Sequence, residues 1–244
     1  RTIYLTDDDF CIVKKGVIRF CEKIIDETKN GSIPKNLTFM AFCRASDADE
    51  EVFKLMKKAN FRRLNIGIES FSNKVLAEMN KRCTVEENHH CLKISKEIGV
   101  GAYCNIIVTT PESTLEDVEA TVNGAYEYAQ DSFYHIGVTL GIKPLKGTEY
   151  FETFSDFKTR IVKIDDSNFY LKYDDLIFAN DPRVKALQLR YWHEIDDFMA
   201  QEVKKKDIRH GNSRNLSALK LIFLKQIIDD IKNKKLTVKT NIKD

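Results

Sequence analysis

The chain has 244 residues, 43% of them hydrophobic and 31% charged, with only 10 glycines and 4 prolines. That balance excludes the disordered and collagen-like classes and suits one sizeable buried core. The net charge of +2 points to no class of partner, and no apolar run approaches the roughly 18–20 residues that span a bilayer.

The first predicted element is a short β-branched strand, Thr2–Thr6 (TIYLT), read as buried. A helix follows over Lys14–Lys29, with Val17, Ile18, Cys21, Ile24 and Ile25 on one face and Asn30-Gly31 as its stop. Leu37–Cys43 is the second strand. Asp47, with Glu50 three residues on, is expected to cap a helix whose apolar face is Val52, Leu55, Met56 and Ala59. Leu64–Glu69 is the third strand, and a short helix occupies Asn73–Met79. Thr84 and Glu87 form a capping box for a helix over Val85–Ile98, which Gly99 ends. Ala102–Val108 is the fourth strand, Thr114 and Asp117 open the next helix, and Tyr134–Leu140 is the fifth strand.

Strands that alternate with helices at this spacing pair in parallel through right-handed crossovers. After about residue 150 the rhythm ends. A long helix starting at Pro182 and a second one carrying Leu216, Leu219, Phe223, Ile227 and Ile231 make the remainder mainly helical, with Gly211-Asn212-Ser213 as the loop between them. Tyr191 and Trp192 are expected to dock the first of these helices onto the barrel. His89 and His90 read as surface residues, and His135 as a residue of the core or lumen. The expected organisation is therefore residues 1–150 as a partial parallel (β/α) barrel and residues 151–244 as a helical extension. From Gln201 onward twelve Lys and Arg stand against five Asp and Glu, a net +7. That stretch fits either a solvated basic tail or a segment that meets an anionic partner such as RNA.

Polar residues gather where each strand ends, which is where ligands sit in parallel sheets. Asp7-Asp8-Asp9 follows the first strand, Arg44 the second and Glu69 the third. The acidic run fits a solvated turn, a hard-cation site or a seat for a ligand ammonium. Arg44 can fork onto a carboxylate or pair with a neighbouring Asp. Glu69 can accept from a ribose diol or from backbone donors. Taken together, an amine acceptor, a carboxylate fork and a ribose acceptor match a nucleoside-linked amino acid, of which S-adenosylmethionine is the commonest. The six cysteines (Cys11, Cys21, Cys43, Cys83, Cys91, Cys104) are scattered without close spacing, as reduced thiols of a cytoplasmic protein would be. The chain opens directly on Arg1-Thr2-Ile3 without a signal-peptide pattern, and is expected to be part of a longer protein.

The segments IYLTDDDFC (Ile3–Cys11), FCRASD (Phe42–Asp47), LNIGIESFSNKVLAEMNKRCTVEE (Leu64–Glu87), IIVTTPESTLED (Ile106–Asp117) and GIKPLKGTEYF (Gly141–Phe151) carry a resemblance. The chain resembles the radical S-adenosylmethionine (SAM) superfamily, in particular the group that often follows a cobalamin-binding domain and includes anaerobic magnesium-protoporphyrin ester cyclase-like proteins. The resemblance implies a TIM-like partial barrel, here strands two to six. It also implies a [4Fe-4S] cluster that cleaves SAM reductively to a 5′-deoxyadenosyl radical, with cobalamin as a further cofactor of an upstream domain. It assigns Asp8 and Asp9 to the methionine amine, Arg44 to the methionine carboxylate, Glu69 to the ribose, and Ile107 and Thr109 to the adenine. Two departures stand out. The family's CxxxCxxC spacing is absent, so cluster ligands are expected upstream and the segment is expected to be inactive alone. Where the family reads G-x-P-G-E-T after the fifth strand, this chain has Thr109, Glu112 and Ser113 in place of the first Gly, the second Gly and the Glu. The alternatives are an RNA-binding or tRNA-modifying module that uses the basic tail, and a barrel scaffold that has lost its chemistry.

Overall fold

The computed structural model describes residues 1–153, 157–164, 169–205 and 213–234. Five strands form one parallel sheet in the order β1 (Thr2–Tyr4), β2 (Thr38–Arg44), β3 (Phe61–Glu69), β4 (Gly101–Thr109) and β5 (Tyr134–Gly141). Helices α1 (Lys14–Lys29), α2 (Glu50–Lys58), α4 (Val85–Ile98) and α5 (Leu115–Ala129) fill the crossovers, with the short α3 (Asn73–Glu78) after β3. This is the α/β partial barrel that the sequence implied.

Alternation along the strands separates two faces. In β2, Phe39, Ala41 and Cys43 are buried, whereas Met40, Phe42 and Arg44 are only half-buried. In β4, Ala102, Cys104 and Ile106 are buried against Tyr103, Asn105 and Ile107, which are half-buried. The buried set packs against the helices and joins Phe53, Met56, Leu92, Val118 and Val122 in the core. The alternate set lies on the opposite face of the sheet.

The helix boundaries follow local chemistry. α4 begins at a full capping box, in which the Thr84 hydroxyl accepts from the Glu87 backbone N–H at 3.2 Å and the Glu87 carboxylate accepts from the Thr84 N–H at 2.7 Å. It ends at Gly99, whose φ of 79° is a left-handed stop. Thr114 and Asp117 make the same box for α5. The cap of α2 differs from the sequence expectation. Residues Ala45–Asp47 form a single tight helical turn, so the side chain that accepts from the Val52 N–H, at 3.0 Å, belongs to Asp49 and not Asp47.

Two further corrections concern the ends of the chain. β1 is exposed rather than buried, with Ile3 and Tyr4 over 40% accessible, because among the described residues it pairs only with β2. Beyond α6 (Glu149–Thr153) the chain forms an antiparallel pair, β6 (Phe157–Ile164) with β7 (Phe169–Ile177), which the sequence reading did not anticipate. The two long helices are present as α7 (Pro182–Lys205) and α8 (Ser213–Lys232). Val184, Leu187, Tyr191, Leu221, Phe223 and Leu224 belong to the same continuous core as the barrel. Tyr191 meets Phe223 of α8, with ring centroids 5.9 Å apart, so it docks α7 onto α8 first. The loop expected at Gly211-Asn212 and much of the basic stretch lie outside the described residues. Among the described residues no helix is long and apolar enough to cross a membrane.

Candidate functional site

A cavity of about 280 Å³ opens at the carboxyl ends of the first strands. Asp8 lines it from the loop after β1, Phe42, Cys43 and Arg44 from β2, and Asn65, Gly67 and Glu69 from β3. Lys81 and Asn105 complete the lining. Three of the six residues singled out from the sequence, Asp8, Arg44 and Glu69, thus share one cavity.

The end of β3 is built to present Glu69. The pairing with β4 slips between Gly67 and Glu69, and Glu69 adopts a left-handed φ of 60°, a costly conformation for a residue with a side chain. Neighbouring helices hold that bend. Asn88 of α4 is fully buried, and its amide donates to the Ile68 carbonyl at 3.1 Å and the Ser70 carbonyl at 3.0 Å. Thr121 of α5 is paired with the Ser70 hydroxyl at 2.7 Å and accepts from the Phe71 N–H at 3.3 Å. The Glu69 carboxylate accepts from the Lys81 ammonium at 2.9 Å. Arg44 donates through Nη2 to the Lys81 carbonyl and keeps further guanidinium donors for a ligand.

The other singled-out residues lie elsewhere. Asp9 accepts from the Cys11 N–H at 3.2 Å through Oδ1, while its buried Oδ2 meets no donor and lies against the Asp47 carboxylate. Burial raises its pKa from 3.8 to about 6, helped by a hydrogen bond with Asp47 and by that residue's charge. A proton shared with Asp47 is held only below about pH 6, and above it the Arg44 and Cys11 backbone N–H groups still bond the Asp9 carboxylate. Asp9 therefore fastens the β1 loop to the turn after β2. Thr109 is only 1% exposed, and its hydroxyl donates to the Leu140 carbonyl at 2.8 Å and accepts from the Gln188 amide at 2.9 Å. The added bulk relative to glycine serves to latch α7 onto the end of β4. Ile107 is half-buried on the same strand face as Asn105, two residues nearer the carboxyl end. His89 is exposed and meets the Tyr128 hydroxyl at 2.6 Å. His135 is half-buried, its ring 6.0 Å from that of Tyr103.

A pH dependence follows from the Asp9–Asp47 contact. Because the folded pKa of Asp9 lies above its unfolded value, the folded state holds the extra proton between pH 3.8 and about 6. The penalty for ionising Asp9 grows across that window and is complete above it. Asp9→Asn should remove the penalty, so the variant's stability advantage over wild type should grow from pH 3.8 to about 6 and stay constant above it. Urea midpoints of the two proteins measured at several pH values check this, and parallel curves would refute it.

The cysteines do not form a metal site. All six are free and buried. Burial pushes the Cys21 and Cys91 thiols up to about 12 and Cys83 to about 11, and it also raises Cys104. Cys43 is raised well above its usual range by a hydrogen bond with Cys11 and by burial. Thiolates are the metal-binding form, and among the described residues no three His, Cys, Asp or Glu side chains are grouped to hold an ion.

Sequence reading missed Lys81, Asn88, Thr121 and Gln188. Asn88 and Gln188 did leave a signal, because each stands at an apolar-face position: Asn88 with Cys91 and Leu92, Gln188 with Val184, Leu187 and Tyr191. A polar residue there must find a buried partner. Lys81 stands in the Leu64–Glu87 segment that carries the resemblance, but only the tertiary fold brings it to Glu69.

Comparison with known proteins agrees with this architecture. The family profile described as the Radical SAM superfamily matches residues 1–124. An uncharacterized methyltransferase of Pyrococcus horikoshii is 30% identical over 134 residues, which are 53% of this chain and 28% of that protein. The anaerobic magnesium-protoporphyrin IX monomethyl ester cyclase of Cereibacter sphaeroides is 27% identical over 129 residues, 52% of this chain and 20% of the cyclase. Among solved structures, the cobalamin-dependent S-adenosylmethionine radical enzyme OxsB with aqua-cobalamin bound shares the fold at a TM-score of 0.63 and 13% identity, over 95% of this chain and 39% of that one. The matched part is thus 20–28% of the length of these curated relatives and about two fifths of OxsB.

Proposed function

The chain belongs to the radical SAM superfamily, and on that premise we propose that its cavity holds S-adenosylmethionine within a radical SAM enzyme. The observation that carries this reading is the convergence of Asp8, Arg44 and Glu69, from three successive strand ends, on one cavity. Arg44 supplies a fork for the methionine carboxylate and Asp8 an acceptor for its ammonium. Glu69 supplies an acceptor for the ribose diol. Asp9 acts from behind by fixing the loop that carries Asp8. The adenine lies towards Ile107, while Thr109 closes the end of β4 without facing the ligand. Residues 1–150 hold the nucleoside, and Gln188 of α7 buttresses the end of β4.

Members of the superfamily join SAM to a [4Fe-4S] cluster, which supplies the electron for cleavage. The buried and ungrouped cysteines of this chain do not fit such a cluster, so its ligands are not assigned to the described residues. Cobalamin as a further cofactor is supported by the cobalamin-dependent radical enzyme that shares the fold. The free buried thiols support a reducing, cytoplasmic setting. RNA as a partner rests on the basic stretch alone and gains nothing from the cavity.

Titration calorimetry of the chain with SAM, L-methionine and adenosine tests the reading. Saturable SAM binding tighter than either half-ligand is expected, because each half engages a different strand end. Binding of SAM no tighter than adenosine would reject it.

A further inference from the structure

Two buried polar atoms of β3, Arg63 Nε and Asn65 Oδ1, meet no hydrogen-bond partner among the described residues. Buried polar groups are nearly always satisfied, so two unmet atoms on one strand call for an explanation. Their residues stand two apart and therefore share a face of the sheet. It is the face opposite the helices, since Leu64, Ile66 and Ile68, which alternate with them, belong to the core.

That face continues into the cavity. Asn65 lines it with Gly67 and Asn105, and the Asn65 amide nitrogen donates to the Tyr4 hydroxyl. Tyr103 is the register partner of Asn65 on β4, one layer further from the carboxyl ends than Asn105. Arg63 carries its guanidinium over the Tyr103 ring, 5.4 Å from the centroid. The ring in turn lies across β5, where a Cβ added at Gly137 would stand 2.6 Å from the Tyr103 hydroxyl oxygen. Gly137 pairs in register with Asn105, so the hydroxyl reaches the layer that borders the cavity.

The arginine is the unusual member of this row. Among the described residues three arginines are half-buried, Arg44, Arg63 and Arg190. Arg190 pairs with Glu194 and Asp230, and Arg44 donates to the Lys81 carbonyl. Arg63 has the face of a tyrosine and no oxygen acceptor. A guanidinium drawn out of water without an anion is costly. A ligand carboxylate removes that cost and can take two parallel bonds from the fork.

We propose that this row is a subsite for the carboxylate of a second substrate, the molecule that the enzyme modifies, with Arg63 as its fork and the Tyr103 hydroxyl as a further donor. This rests on the nucleoside reading of the cavity and names the class of molecule that lies one layer beneath the nucleoside. One fixed cation flanked by neutral groups suits a single negative charge rather than a phosphate. A hydroxyl next to the carboxylate meets Asn65 Oδ1.

The chain is titrated with S-adenosylhomocysteine, and the saturated protein then with glycolate, glycolamide, acetate and inorganic phosphate at constant ionic strength. Amide NMR signals of β3 and β4 report binding. Wild type is expected to prefer glycolate to glycolamide by about tenfold or more, the size of one charge-assisted contact. Arg63→Met should bring the two within about twofold, and Arg63→Lys should recover part of the preference. Tyr103→Phe should weaken glycolate about threefold, and a similar advantage of glycolate over acetate should vanish in Asn65→Leu. Arg62→Met, at the exposed neighbouring position, should change none of these values. Wild-type affinity for S-adenosylhomocysteine in each variant shows that it is folded. A charge preference that survives Arg63→Met, or is lost equally in Arg62→Met, overturns the subsite. Phosphate bound more tightly than glycolate overturns the carboxylate class, and glycolate that competes with S-adenosylhomocysteine overturns the separate layer. A wild type that does not bind S-adenosylhomocysteine overturns the nucleoside reading and this proposal with it.

Discussion

Replacing Arg44 with alanine should weaken SAM binding by about 50-fold, with the fold intact. The figure corresponds to roughly 2–3 kcal/mol, the cost of removing one partner from a charge-assisted contact in a partly enclosed site. The guanidinium is half-buried at the end of β2, and its contact with the Lys81 carbonyl already aims it into the cavity. Arg44→Lys should recover only part of the loss, because an ammonium cannot fork onto a carboxylate. The same variants should bind adenosine like wild type, since Arg44 faces only the amino-acid end. Calorimetric titration with SAM and adenosine measures both effects. A drop of less than about threefold for SAM, or an equal drop for adenosine, would remove Arg44 from the site.

The largest effect on stability is expected at Asn88. Its amide is fully buried and satisfies two carbonyls, those of Ile68 and Ser70, on either side of the left-handed Glu69. Asn88→Ala takes the amide donor from the Ser70 carbonyl, leaves the Ile68 carbonyl only the Ser70 N–H at 2.8 Å, and opens a small void in the core. An unmet buried group costs about 1–3 kcal/mol, and with the void a loss of about 2–3 kcal/mol is expected, beyond what a surface Asn would give. Asn88→Leu should be no better, because filling the void does not supply donors. Urea unfolding gives the magnitude. A second readout follows from geometry: if the bend at Glu69 relaxes, diol selectivity should fall in the surviving folded fraction. A variant that loses less than about 1 kcal/mol would mean that the bend is held by the Thr121 contacts instead.

The neutral and charged members of this site differ in how far the sequence reveals them. Asp8, Arg44 and Glu69 could be found because the βα rhythm fixes strand ends, and charged residues after apolar runs are conspicuous. Asp9 looked equivalent to Asp8, yet one residue along a loop reverses the direction of a side chain. It packs against Asp47, and no periodicity foretells that. Thr109 stood where a nucleoside contact was expected, but its hydroxyl is taken by Gln188, 79 positions further along the chain. Asp47 lost its expected capping role to Asp49 because three residues formed an unforeseen turn. Lys81 matters only through pairs made across the fold.

What the sequence determined by itself is the order of five strands and their helices, most of the helix ends and the edge of the sheet at which the cavity opens. Those features are local: apolar periodicity, capping pairs such as Thr84 with Glu87, and the requirement that parallel strands carry their polar residues on the loops. Tertiary structure alone decided which of the polar groups share the cavity, that β1 lies exposed, that β6 and β7 pair, and that Lys81 joins Glu69 to Arg44. Each of these depends on contacts between residues far apart in the chain, whose geometry is set by packing and by the few backbone bends that packing can hold.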